Sequence, residues 1–480
     1  MIERKANESI RDFFTNDKRA LLVTGARQVG KTFAIRKIGK ECFDQVVEIN
    51  FIEQPDAIAL FSEPKDAKSV LLRLSAFTHK QLIPGRTLIF FDEVQECKEI
   101  VTAIKFLVDE GSYRYVMSGS LLGVELKDIR SVPVGYMGEL EMYPLDLQEF
   151  ATAVGISSDV QAHLRECFEQ QNPVDSFIHE RMMELVRLYL IVGGMPAAVQ
   201  RYLDTNNLRR VLGEQRDIIR TYKRDITKYD PKKKLLIEEI YDLIPSELNA
   251  KNKRFILKEL NEKAAFERMQ SQTRLDFAER EQARPQVKAR FSRYESGFLW
   301  LKDAGVALPT YNIEEPRLPL LLNKQRNLFK LFLNDVGLLA AMYGGDIQLR
   351  LLEKDTNINF GAVFENLVAQ ELYAHGFAQN HDLFYFNSKK QGELDFVVEQ
   401  HGEVLPIEVK SGKDYERHRA LCNVMSNAEY AIPRAIVLCQ DNVQVVDKIT
   451  YLPIYMLMFM QHEQTEDVIY KFQPVPRHNR

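Results

Sequence analysis

Apolar positions fall into short, bounded runs over the first quarter of the chain. Residues 20–24, 46–51, 87–91 and 113–117 are rich in aliphatic, β-branched and aromatic side chains, and stretches of helical spacing separate them. This alternation predicts a parallel sheet with crossover helices. From about Met182 the texture becomes helical. Leu236, Ile240 and Leu243 recur at helical spacing, and Pro245 is expected to end that helix. Residues 264–284, dense in Glu, Arg and Gln, read as a solvated helix or a long connection. Residues 291–302 are amphipathic, end at Asp303-Ala304-Gly305, and precede the strand-like residues 306–311. A helix, a glycine turn and a β-ribbon are the parts of a winged-helix module. Pro316 and Pro319 mark a break. Beyond it, helical stretches at 328–342 and 363–374 and strands near 383–386, 393–398, 405–410 and 434–439 predict a separate α/β domain.

The length of 480 residues corresponds to about three domains. With 45% hydrophobic and 28% charged residues, the chain can bury several cores, which excludes disorder as its main theme. The longest charge-free apolar candidate, residues 451–460, is about half of the roughly 18 residues a spanning helix needs and contains Pro453, so no membrane partner is expected. The opening Met-Ile-Glu-Arg-Lys-Ala-Asn-Glu shows no apolar signal run. Five scattered cysteines without a CxxC pair predict a reducing cytoplasmic location and no zinc site. A net charge of −4 means that any nucleic-acid surface must be local.

Gly25-Ala26-Arg27-Gln28-Val29-Gly30-Lys31-Thr32 fits G-x-x-x-x-G-K-[ST], with an apolar strand before it and a helical stretch from Phe33 after it. Glycines let backbone N–H groups turn toward phosphate oxygens, and the helix N-terminus adds partial positive charge. Lys31 would reach the β- and γ-phosphates of ATP, and the Thr32 hydroxyl would ligate Mg²⁺. The bland alternative is a chance glycine turn. A second element argues against it: residues 88–91 form an apolar run ending in Asp92 and Glu93. Asp92 suits the Mg²⁺ shell, Glu93 suits polarisation of the attacking water, and Phe90 and Phe91 read as core. Ser118 or Ser120, at the end of a further strand, is either a γ-phosphate sensor or part of a simple turn. Arg130 is either a solvated arginine or an arginine finger, which would imply a homo-oligomer.

Together these marks resemble prokaryotic AAA-type ATPases fused to a DUF4143 domain, over nearly the whole chain. The marks are residues 25–32, 91–95, 118–120, 143–150, Val192-Gly193-Gly194-Met195-Pro196, residues 300–305, Asp335-Val336-Gly337-Leu338-Leu339 and Glu408-Val409-Lys410. The resemblance implies that Gly194 and Pro196, in the lid helices, contact the nucleotide. It also leads one to expect a basic residue after Gly135, where this chain has Tyr136; if that residue matters, hydrolysis would be slow.

Near the C-terminal end, Glu408-x-Lys410 closes an apolar strand, Asp395 lies thirteen residues upstream beside Glu393, and Glu365 lies in a helical stretch. Alternation puts Glu393 and Asp395 on one strand face, and Glu408 and Lys410 on one face of theirs. Taken alone, Glu-x-Lys is an ordinary ion pair at a strand end. The three elements in order resemble the PD-(D/E)xK nuclease superfamily. That resemblance implies Mg²⁺ held by Glu365, Asp395 and Glu408, with Lys410 orienting or deprotonating water at a scissile phosphate. Nine histidines without zinc spacing read as surface or satisfied core, and Trp300 as a core anchor.

The expected architecture is α/β: a P-loop ATPase core (1–180), a helical lid (181–230), a winged-helix module (231–325) and a nuclease-like α/β domain (326–480). The expected function is Mg²⁺-dependent ATP hydrolysis coupled to DNA or RNA binding, with cleavage by the last domain. The alternative is a nucleotide-dependent switch whose last domain is an inert DNA- or protein-binding module. Lys288, Arg290 and Arg293 are the basic residues nearest the expected recognition helix.

Overall fold

The computed structural model describes residues 2–62, 66–120, 135–229, 234–249, 297–344, 350, 361–378 and 382–462. Helix α1 (Lys5–Asn16) precedes β1 (Ala20–Thr24), α2 (Lys31–Cys42), β2 (Gln45–Asn50), α3 (Ala67–Thr78), β3 (Thr87–Asp92), α4 (Lys98–Glu110), β4 (Arg114–Ser118) and β5 (Met137–Glu141). The strands make a five-stranded sheet of order β2-β3-β4-β1-β5, parallel at every pair. The four strands expected from the sequence are all present. The fifth, β5, carries Glu139 and Glu141 at alternate positions beside Gly138 and lies half-exposed at the sheet edge, which is why no apolar run announced it. On β3, alternation sends Leu88 and Phe90 into one core and Ile89 and Phe91 into the other.

A helical layer follows: α5 (Leu147–Ala153), α6 (Ser158–Gln170), α7 (Ser176–Val192), α8 (Pro196–Thr205), α9 (Leu208–Tyr229) and α10 (Lys234–Asn249). Asp146 and Glu149 form a reciprocal capping box on α5. Helix α10 does not stop at Pro245 as expected but carries it inside, continuing to Asn249. Leu236 and Leu243 pack against the core that buries Ile240 and Ile244, so tertiary burial holds the last turn despite the missing N–H.

The second sheet has eight strands. Its elements are β6 (Ala307–Ile313), β7 (Lys324–Leu333), α11 (Val336–Tyr343), α12 (Gly361–Ala374), β8 (Leu383–Ser388), β9 (Gly392–Gln400), β10 (Glu403–Val409), α13 (Arg419–Met425), β11 (Ala435–Cys439), β12 (Gln444–Val446) and β13 (Ile449–Pro453). The strand order is β12-β13-β11-β10-β9-β8-β6-β7. Helix α12 is buried at every position from Ala362 to Tyr373.

Three expectations change here. Residues 328–333 are strand, not helix. The apolar run Leu331-Phe332-Leu333 is buried in the sheet, and a short buried strand has the same hydrophobic pattern as a buried helix. The ribbon expected as a wing does form, with Ala307 opposite Leu333 in the β6–β7 pair, but β6 also pairs in parallel with β8. All seven positions of β6 are buried, so the ribbon is part of the eight-stranded sheet and not a free wing. The boundary expected between residues 325 and 326 accordingly falls inside β7. Residues 251–296, with Lys288, Arg290 and Arg293, lie outside the described residues, as does Arg130. Among the described residues no single helix is long and apolar enough to cross a membrane.

Candidate nucleotide site and C-terminal carboxylate cluster

The loop from Gly25 to Thr32 joins β1 to α2 through three residues of positive φ, Gly25 (125°), Gln28 (67°) and Gly30 (98°). Gly25 cannot be replaced without moving the backbone, because a Cβ there would fall 2.1 Å from the Met142 carbonyl oxygen. The Lys31 ammonium is buried and donates to the carbonyls of Gly25 (2.9 Å) and Ala26 (2.8 Å). Burial lowers its pKa to about 8, against the pull of Glu93 and Asp92. The Thr32 hydroxyl donates to Asp92 Oδ2 at 3.1 Å, and the Ser118 hydroxyl donates to Asp92 Oδ1. Asn50, which the sequence did not single out, donates to Asp92 Oδ2 at 3.3 Å. Burial raises the Asp92 carboxyl, Ser118 opposes it, and neighbouring Glu93 adds to it.

Glu93 sits in the left-handed region (φ 58°, ψ 46°), a costly conformation for a non-glycine residue. Its Oε2 accepts from Gln95 Nε2 at 2.5 Å and from the Ser120 hydroxyl at 3.4 Å. The structure therefore brings together Lys31, Thr32, Asp92, Glu93, Ser118 and Ser120, as their order in sequence implied. Phe33 is half-exposed beside them. Pro196 also arrives: its Cγ lies 3.7 Å from where a Cβ on Gly30 would stand. Thr32 and Asp92 fit Mg²⁺, an ion that takes few protein ligands and keeps phosphate and water oxygens. The Lys105 ammonium lies 5.3 Å over the ring of Tyr136, the residue where a basic side chain was expected.

Residues far along the chain hold this loop from several sides. Arg4 donates to Val29 O at 2.8 Å, to Tyr143 O at 2.7 Å and to Glu149 at 3.1 Å. The Tyr222 hydroxyl donates to Arg27 O at 3.1 Å, and Arg27 pairs with Asp225 at 2.5 Å. A Cβ on Gly305, in the turn before β6, would fall 3.1 Å from the Ala26 nitrogen. Asn334, just after β7, donates to the Tyr222 hydroxyl at 3.4 Å. Gly194 meets Asp335, whose Oδ2 accepts its N–H at 2.6 Å. A second tie joins α5 to α12: Glu371 accepts the Leu147 N–H at 2.9 Å, and His375 lies 3.4 Å from Asp146, which Lys5 pairs at 2.6 Å. Arg4, Tyr222 and Asp225 carry no sequence motif. Asp335 did carry one signal, an N-cap Asp before an apolar helix.

The C-terminal acids also converge, around a residue the sequence reading passed over. Lys330, on β7, is fully buried; its ammonium lies 2.7 Å from Glu393, 3.8 Å from Glu365 and 4.0 Å from Asp395. Burial disfavours its charge, but the three carboxylates outweigh that and raise its pKa. Asp395 Oδ2 accepts the Val409 N–H at 2.9 Å, and Lys410 pairs with Glu408 at 2.8 Å. Burial, with Asp395 nearby, pushes the Glu408 carboxyl up to about 8. A lysine inside Leu328-Phe329-Lys330-Leu331-Phe332 was the signal available in the sequence. Among the described residues, no group of three or more His, Cys, Asp or Glu side chains is arranged to hold a metal ion.

Residues 17–151 match the family described as an AAA domain. The match takes in the whole parallel sheet, from β1 to β5. Residues 360–457 match DUF4143, and residues 183–349 match a further domain of unknown function, DUF8612. The latter spans the boundaries expected at 230/231 and 325/326, and it ends between β7 and β8, so the eight-stranded sheet is shared between the two matches. No curated protein matches the chain. Among solved structures, the chain is similar to the Walker-type ATPase PABY2304 of Pyrococcus abyssi, at 13% identity over 72% of this chain and 96% of that one, with a TM-score of 0.40. It is also similar to the ORC1 protein of Aeropyrum pernix in complex with DNA, at 12% identity over 74% and 93%, with a TM-score of 0.28. At these scores neither likeness bears on function.

Proposed function

We propose that the protein binds and hydrolyses ATP at the P-loop and uses nucleotide occupancy to set the position of its C-terminal half. The observation that supports this most directly is the grip on the loop. Tyr222 and Gly305 touch the backbone of Arg27 and Ala26, and Asn334 reaches Tyr222 from the large sheet. A loop that rearranges around phosphate cannot leave those contacts unchanged.

In this reading the Lys31 ammonium exchanges its two loop carbonyls for phosphate oxygens, and the backbone N–H groups from Ala26 to Thr32 face the same anion. Thr32 and Asp92 are the protein ligands for Mg²⁺, which supplies charge neutralisation on the phosphates when bound. Glu93, aimed by Gln95 and Ser120, holds the attacking water, and Ser118 steadies Asp92. Gly194 and Pro196 report the lid position to the nucleotide. The effector reached through the C-terminal half is nucleic acid, the partner class suggested by the basic Lys288, Arg290 and Arg293. The reading is that of a switch, with the last domain as a binding module.

The test is hydrogen exchange on the Glu93→Gln protein with and without ATP and Mg²⁺. Protection should change at residues 25–32 and also at 305–311 and 333–338. A change confined to the P-loop would leave ATP binding intact and remove the coupling.

A further inference from the structure

One cation lying between carboxylates from separate elements is the arrangement by which proteins ordinarily hold a divalent ion. In this molecule the cation is a side chain. Lys330 reaches from β7 to Glu393 and Asp395 on β9 and to Glu365 on α12, and its ammonium also lies 4.9 Å from the centre of the Tyr385 ring on β8. It is fully buried, so it cannot swing out to solvent without opening the sheet. A divalent ion on Glu365 and Asp395 would sit within a few ångströms of this ammonium, which lies 3.8 and 4.0 Å from them, and would be repelled by it. Of the other oxygens, Asp395 Oδ2 takes the Val409 N–H and Glu408 Oε1 takes Lys410, while Glu408 Oε2 is buried without a hydrogen-bond partner. Among the described residues no three of these acids are arranged to hold a metal ion, and a buried cation already stands between Glu365, Glu393 and Asp395, so the donor set of Glu365, Asp395 and Glu408 does not fit the Mg²⁺ site that their order in sequence suggested.

We propose that Lys330 is the resident cation of this cluster, and that the C-terminal domain holds its carboxylates together without a divalent metal and does not perform metal-dependent phosphodiester cleavage. The lysine is a lock between β7, β9 and α12. The strand it fastens leads directly to Asn334 and Asp335, which contact Tyr222 and Gly194.

The experiment is a Mn²⁺ titration by calorimetry on the nucleotide-free full-length protein, run on wild type, Asp395→Asn, Lys330→Ala and the double variant. Any Mn²⁺ bound near Thr32 and Asp92 is common to all four. Wild type and Asp395→Asn should give the same isotherm within about twofold in affinity. Lys330→Ala should gain one Mn²⁺ site, and the double variant should lose it. Wild-type binding that Asp395→Asn removes would overturn the proposal, as would Mn²⁺-dependent plasmid nicking that Asp395→Asn abolishes. A folded Lys330→Ala protein that takes up no extra Mn²⁺ would overturn it too. The wild-type and Asp395→Asn pair decides the matter even if Lys330→Ala does not fold.

Discussion

Asp335 accepts the backbone N–H of Gly194 at 2.6 Å across 141 residues of sequence. The fit is tight on both sides. A Cβ on Gly193 would fall 2.3 Å from Asp335 Oδ1, and one on Gly337 would fall 2.6 Å from the Gly193 nitrogen. Two glycine-bearing segments recognised separately in the sequence are therefore the two halves of one joint. That joint lies between the lid turn next to the P-loop and the start of α11.

Asp335 should make stability depend on pH. Burial raises its carboxyl from an ordinary 3.8 to about 6, against backbone N–H donors that include Gly194 and Leu338. A carboxyl raised on folding keeps its proton in the folded state, so its contribution is fully present below about pH 4 and is lost as pH rises through about 6. The difference corresponds to about 3 kcal/mol. Chemical unfolding between pH 4 and 7 should show stability falling more steeply with pH in the wild type than in Asp335→Asn, since Glu408 and Asp92 contribute equally to both. Parallel curves would place the proton elsewhere.

Gly194→Ala should destabilise by ~3 kcal/mol, because its Cβ would fall 2.0 Å from the Leu145 carbonyl oxygen. Gly213→Ala is the control. It lies exposed in α9 with nothing near its missing Cβ, so alanine there should stabilise by about 1 kcal/mol. Thermal unfolding of the two variants checks both signs.

Nucleotide affinity should depend on pH through Lys31. Its pKa of about 8 in the free protein means that it is charged below that value and loses its proton above it. Affinity for ATP should be level from pH 6.5 to about 7.5 and should fall about tenfold per unit well above pH 8, since binding must then recharge the ammonium. Lys31→Ala should remove tight binding at every pH. Fluorescent-nucleotide titrations across this range are the measurement.

Glu93→Gln should bind ATP as wild type does while turnover falls by roughly 10²–10⁴-fold, the usual worth of a positioned general base. Gln95→Ala, which only frees Glu93, should cost less. Wild-type turnover in Glu93→Gln would remove this residue from the mechanism.

Binding to duplex DNA should lose about 0.9 log units of salt dependence for each phosphate contact removed by Lys288→Ala, Arg290→Ala and Arg293→Ala. An unchanged slope in the triple variant would put the nucleic-acid surface elsewhere on the protein.

The candidate nucleotide site was legible because its residues are local in sequence. Gly25 to Thr32 carry the turn, the lysine and the hydroxyl within eight residues, and Asp92 and Glu93 follow an apolar strand whose position in a parallel sheet is dictated by the fold class. The C-terminal strands and α12 were legible for a similar reason, since their apolar runs are bounded by Gly, Asn and charged residues. Other elements were not. Lys324–Leu333 has the hydrophobic content of a buried helix, and only its pairing with β6 makes it a strand. Helix α10 passes Pro245 because packing, not propensity, carries its end.

The sequence by itself determined which residues line the P-loop turn and the end of β3, since these depend on residue type and short spacing. The tertiary structure alone decided what those residues answer to. Arg4, Tyr222 and Gly305 reach the P-loop from 25, 195 and more than 270 residues away, and no periodicity encodes such contacts. It also decided the meaning of the C-terminal acids. Their order in sequence suggests a metal, but a buried strand seats the ammonium of Lys330 among them. The physical reason is common to both cases. Electrostatic partners act over a few ångströms in space, and only folding brings distant positions that close.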